Sequence, residues 1–175
     1  ALPSMQRIVE LLLAELAQPQ PQLQRLNQLF GGDPALAARL LEQANGALFR
    51  ATGEVVGVPE ALALLSQAQL HSLVRSAPLG AASRSVPGVN LPQFWRYSHN
   101  TARLARALAG FVQHNQLAAY TAGLLHGVGE LVLHLGYAEK AQSLNTLVPP
   151  LDYRRAKIEQ RILGYHYAQI SAGLA

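Results

Sequence analysis

Ala119-Tyr120-Thr121-Ala122-Gly123-Leu124-Leu125-His126-Gly127-Val128-Gly129-Glu130 reads as the end of a buried helix, a bend, and the start of a new apolar run. Small residues at Ala118, Ala119, Ala122 and Gly123 predict a face on which another helix approaches closely. Leu124, Leu125 and Val128 supply core. Gly127 and Gly129 let the helix stop, with φ > 0 at little cost, before the apolar run at residues 131–135. One imidazole, His126, stands where the bend begins. Glu130, just past it, is placed to stabilise the dipole of the following helix; a general-base role is the other reading of that carboxylate.

Outward from this bend the sequence reads as helices separated by Pro and Gly. Ser4 is an N-cap candidate for a first helix carrying Ile8, Leu12 and Leu16, which the turn Pro19-Gln20-Pro21 stops. A second helix covers residues 22–30 and ends at Gly31-Gly32. Asp33-Pro34 then gives an N-cap followed by proline at the first helical position, where a missing N–H costs nothing. Leu36, Leu40, Leu41 and Ala44 form the stripe of that third helix, closed by Asn45-Gly46. Pro59 opens another, continuing over residues 67–74 after a kink. Residues 76–92 hold three Pro, two Gly and three Ser and mark a boundary between an N-terminal helical subdomain, 1–90, and a second one, 91–175. The longest helix runs over residues 92–114, a turn falls near Asn115, and two shorter pieces cover 131–135 and 137–147. Asp152 caps a helix leading to Gly164, and a last helix starts at Tyr165. No alternating strand pattern is present, so the fold class expected is all-α, a multi-helix bundle.

Half the residues are apolar and 14% are charged, which supports a packed core and excludes a disordered chain. The absence of Cys excludes disulfides and thiolate metal sites and suits a reducing cytoplasm. No apolar run approaches the length of a spanning helix, so no membrane partner is expected. The apolar helix at residues 170–175 stops without a cap, as the second subdomain of a fragment would. Charge is uneven: six Arg balance six acids over residues 1–90, whereas six Arg and two Lys against four acids carry the whole +4 over 91–175.

A helix ending in Gly123-Leu124-Leu125-His126 resembles the segment of the HD superfamily of metal phosphohydrolases that reads Gly-Leu-Leu-His-Asp-Ile-Gly. That resemblance implies a metal held by the His-Asp pair, and Gly127 stands here at the Asp position. Asp33-Pro34-Ala35-Leu36 with Leu40-Leu41 and Ala44-Asn45-Gly46-Ala47 resembles the start of the HDOD domain, an HD-related output domain of bacterial signalling proteins. Residues 55–74, Phe94-Trp95-Arg96-Tyr97-Ser98 with Ala102, and residues 159–164 followed by Ala168 and Leu174 are similar to later segments of that family. Matched this way, the first metal-ligand His position of the HD pattern falls on Tyr97, and the late Gly-x-x-His position falls on Tyr167, with His166 one place early. The resemblance implies an HD-like second subdomain, incomplete at its C-terminus, and partners among receiver and cyclic-dinucleotide-related signalling domains.

Arg96, His99, Arg103 and Arg106, spaced 3, 4 and 3 apart, share one face of the long helix. With His126 they form a candidate anion or nucleotide pocket. The plainer reading is a solvated arginine face and a hydrogen-bonded core histidine; a structural role is also the favoured one for His134 and His166. No catalytic residue, metal or cofactor is expected. There is no Cys and no Gly-x-Ser-x-Gly elbow, and both Asp are spent as N-caps. Three functions compete: a non-catalytic regulatory module, a metal-dependent nucleotide phosphohydrolase with degenerate ligands, and a nucleic-acid-binding output domain using Arg103/Arg106 and Arg154/Arg155/Lys157.

Overall fold

The computed structural model describes residues 2–46, 54–79 and 86–174. They form eleven helices: α1 (Gln6–Leu16), α2 (Leu23–Phe30), α3 (Pro34–Ala44), α4 (Val58–Leu64), α5 (Gln67–Arg75), α6 (Leu91–Phe111), α7 (Gln116–Leu125), α8 (Val128–Gly136), α9 (Ala138–Leu147), α10 (Arg155–Leu163) and α11 (Tyr167–Leu174). The β content of the described residues is one isolated parallel bridge, Ser4 with Leu79. The fold is all-α. Among the described residues no helix is long and apolar enough to cross a membrane.

Four helix starts, those of α3, α5, α6 and α7, follow from side chains that satisfy the orphan amides of a first turn. Asp33 accepts from Ala35 N at 2.9 Å and Leu36 N at 3.0 Å, with Pro34 inside the first turn of α3. Its other oxygen accepts from Met5 N at 2.6 Å, so one carboxylate starts α3 and anchors the chain ahead of α1. Burial pushes Asp33 up to about 6 against the pull of those three amides. Asn90 caps α6 through Gln93 N, and Asn115 caps α7 through Leu117 N and Ala118 N. Between α4 and α5 the expected kink is a full break: Leu65 is extended, and Ser66 opens α5 in a capping box with Gln69.

Two expected caps differ. Ser4 does not cap α1; its N–H donates to Pro78 O at 2.8 Å, and Met5 holds the N-cap position without a side-chain bond. The bridge to Leu79 keeps residue 4 extended, so the helix starts at Gln6. Asp152 accepts from Arg154 N at 2.8 Å, which makes a turn ahead of α10 rather than its N-cap, the place Arg154 takes.

A buried apolar cluster runs from Val9 on α1 through Phe30, Leu36, Leu40 and Phe94 to Leu124 and Leu131, joining the first eight helices. The most extensive helix pairing is α6 on α7. A Cβ added at Gly123 would lie 2.8 Å from Ala102 Cα and 2.9 Å from Thr101 O, so only glycine admits this crossing. Ala118, Ala119 and Ala122, expected to share that role, instead line an open cleft.

The bend at residues 126–129 is also not made by left-handed glycines. Gly127 has φ −97° and ψ −1°, and the positive-φ glycines of the described residues are Gly88 and Gly164. Glycine is required here for space. A Cβ at Gly129 would collide with the Tyr167 carbonyl, where α11 packs on α8. The Ser171 hydroxyl of α11 completes the joint: it accepts from Gly129 N and donates to His126 O, both at 2.8 Å. One hydroxyl thus satisfies an amide of α8 and a carbonyl at the end of α7.

Candidate functional site

His126 sits at the C-cap of α7, where the chain turns into α8. Its Nδ1–H donates to Gly123 O at 2.7 Å, which leaves the lone pair on Nε2. Burial lowers its pKa, against the raising effect of that carbonyl, so the ring is neutral around pH 7. The Tyr97 ring of α6 lies 5.2 Å from it, centroid to centroid, tilted by 47°. Phe94 fills the next place: a Cβ at Gly127 would be 3.3 Å from Phe94 Cε2. Around the His126 position, then, the two neighbouring ligand positions of the HD pattern hold a phenol and a glycine backed by a phenyl ring.

The cleft beside His126 has a volume of about 650 Å³. Ala118, Ala122 and Leu125 of α7 form one wall, Ala168 and Ala172 of α11 the other, with Leu41 and Val55 also in its lining. Its surface is mainly apolar, and the polar side chains in its lining are His126, Glu54, Thr121 and Ser171. Among the described residues no group of three or more His, Asp or Glu is arranged to hold a metal.

The other candidate residues lie elsewhere. Arg96 and His99 line a shallow hollow with Met5 and Trp95. The His99 Nε2–H donates to Gly32 O at 2.8 Å, which pins α6 to the turn before α3. Arg106 lines a second hollow, of about 220 Å³, with Asn27, Gln28 and Tyr120, and Tyr120 OH donates to Gly31 O at 2.9 Å. Arg103 is exposed on the same face of α6. The row of four is real as a helix face, but His126 opens into a different cavity from Arg96, His99 and Arg106.

What the residue pattern did not reveal is a buried ionic cluster below the bend. Arg155 of α10, Glu130 of α8 and Glu159 of α10 are all buried. Arg155 Nε donates to Glu130 Oε1 at 2.9 Å and to Glu159 Oε1 at 2.6 Å, and its Nη1 donates to Val148 O at 2.8 Å. Glu159 Oε2 accepts from Tyr167 N at 2.8 Å, placing a carboxylate on the first amide of α11. Two carboxyls thus share one guanidinium. Burial raises Glu130 to about 8, Arg155 opposing the shift and Glu159 adding to it. His134, also buried, donates from Nδ1 to Pro87 O at 2.7 Å, and its Nε2 lies 3.7 Å from Glu130 Oε2. The expected dipole role of Glu130 is therefore the smaller part of what it does. The expected basic cluster at 154, 155 and 157 also dissolves, because Arg155 is internal and Arg154 pairs with Asp152 at 2.8 Å. The signal available in sequence was the i, i+4 pair Arg155–Glu159 on a helix flanked by Ala156 and Ile158.

The HDOD domain family matches residues 2–175 of the chain. A protein of Treponema pallidum (strain Nichols) is 27% identical over 159 residues, which are 90% of this chain and 31% of that protein. The chain thus spans about a third of the curated relative it matches. Among solved structures, the MmoQ response regulator of Methylococcus capsulatus strain Bath superposes with a TM-score of 0.81 at 20% identity, over 99% of this chain and 71% of that one. A virulence factor of Campylobacter jejuni gives 0.71 at 20% identity, over 99% and 64%. At these identities the likeness is one of fold.

Proposed function

Because the chain belongs to the HDOD family, we propose that it is a non-catalytic signal-transduction module, acting through contacts with other proteins or with other domains of its own polypeptide. One observation carries this reading. At the place the HD pattern reserves for a metal, Tyr97 lies against His126 and the Phe94 ring occupies the space beside Gly127. Divalent metals of hydrolytic sites need several imidazole or carboxylate donors, and a single imidazole does not meet that requirement. The residues do not fit the metal.

The neighbour of highest TM-score quoted above is by name a response regulator, which fits a signalling role. Partners of the chemistry found in such pathways, receiver domains and domains that handle cyclic dinucleotides, are the ones we assign to it. The working parts are then helix surfaces rather than a reactive centre. Turnover of bis(p-nitrophenyl) phosphate with added Mn²⁺ tests the assignment. No rate above the metal-only control is expected; turnover that disappears in His126→Ala would overturn it in favour of an HD-type hydrolase.

A further inference from the structure

The cleft between α7 and α11 holds about 650 Å³, within the range of small-molecule sites. Small side chains make the room: Ala122 of α7 and Ala172 of α11 both line it, and both are exposed. Its polar side chains share one property. The Thr121 hydroxyl donates to Leu117 O at 3.1 Å, the Ser171 hydroxyl to His126 O at 2.8 Å, and the His126 Nδ1–H to Gly123 O at 2.7 Å. Each has spent its hydrogen inside the fold, and what it has left to offer is a lone pair. Glu54, the fourth, is exposed, and its carboxylate takes part in no ion pair or hydrogen bond among the described residues. Among the described residues of the lining, Glu54 carries the one charge; Arg96 and Arg106 of α6 open into other hollows.

A cleft whose side chains only accept, and whose charge is negative, is complementary to a ligand that donates and is positive. We infer that the cleft beside His126 is a binding site for an apolar amine: an alkyl or aryl body between α7 and α11, with an ammonium turned to the acceptors Glu54, Thr121 and His126. Phosphates, carboxylates and nucleotides are disfavoured on the same grounds. Each brings a negative charge to a lining that already has one, and no described side chain there has a hydrogen to donate to it. The site is also distinct from the metal positions of the HD pattern, because Tyr97 and Gly127 are not in its lining. Such a ligand gives a signalling module a chemical input, and the binding claim stands whether or not that role does.

The test titrates the full chain with phenylbutylamine, phenylbutanol and phenylbutyrate near neutral pH, three probes with one apolar body and different heads, followed by NMR of the alanine methyls. At the size of these probes the amine is expected to bind with a Kd of about 1 mM. The methyls of Ala122 and Ala168, on the two walls, should shift with one shared midpoint, and that of Ala17, at the end of α1, should not move. The amine should bind about five-fold more tightly than the alcohol and at least about ten-fold more tightly than the carboxylate, with the gap narrowing as salt is raised. Glu54→Gln should bring the amine down to the affinity of the alcohol. Ala122→Leu and Ala172→Leu each put a larger side chain into the cleft and should weaken all three probes about ten-fold. Both positions are exposed, so unfolding midpoints should stay at the native value, and either variant serves if the other does not fold. Equal affinity for the three heads, tighter binding of the carboxylate, shifts that reach Ala17, or an amine affinity unchanged in the leucine variants would each overturn the assignment. So would a dimer that a leucine variant dissolves, which would make the cleft an interface between copies. Phosphodiester turnover by the native chain would remove the signalling role and leave the head-group preference as it is, so the two failures are distinguishable.

Discussion

Replacing Arg155 with Met keeps the volume of the side chain's stem and removes the guanidinium that Glu130 and Glu159 share. Four hydrogen bonds go with it. The Val148 carbonyl loses its donor, at a cost of about 1–3 kcal/mol. Glu130, already raised to about 8, is largely protonated at pH 7 and adds little. Glu159 keeps only the Tyr167 amide and is left as a buried carboxylate with no cation beside it. The loss should therefore be about 3–5 kcal/mol, the range for breaking a buried pair by removing one partner. Urea unfolding followed by circular dichroism measures it. A loss under about 1 kcal/mol would refute the shared-guanidinium account.

Glu130→Gln addresses the same cluster from the other side. A carboxyl held above its ordinary 4.5 stabilises the fold below that pH and loses the contribution as pH climbs through about 8. The native urea midpoint should therefore fall between pH 6 and pH 8, above the titration of Asp33, and the Gln variant should be flatter over that interval. Ser171→Ala leaves Gly129 N–H and His126 C=O buried without a partner and should cost about 1–3 kcal/mol in thermal unfolding. Gly129→Ala drives a methyl into the Tyr167 carbonyl and should cost about 3 kcal/mol or fail to fold, whereas Gly136→Ala, with nothing near its added methyl, should change stability by less than about 1 kcal/mol.

The helices were legible because their ends are written locally. Asp33-Pro34, Asn115 and Gly164 each act within a few residues of themselves, and the structure puts them where short-range chemistry does. Ser4 failed as a cap for a long-range reason: its amide is taken by Pro78, more than seventy residues on. The glycines of the bend were recognised as necessary but for the wrong property. Gly127 and Gly129 have ordinary φ and are needed because Phe94 and Tyr167 crowd them, and crowding between distant segments leaves no local trace. The same holds for the site. The arginine row of α6 follows from helical spacing alone, but that His126 opens into a different cavity depends on how α6 crosses α7. Arg155 read as surface charge because Arg154 and Lys157 beside it are exposed; only the fold shows it facing Glu130.

The central claim is that His126 marks the remains of a metal position and not a working one. Elemental mass spectrometry of protein produced in medium supplemented with Mn, Fe and Zn, and purified without chelator, tests it most directly. The account predicts metal well below one ion per chain, unchanged in His126→Ala. About one Mn, Fe or Zn per chain, lost in His126→Ala, would contradict it.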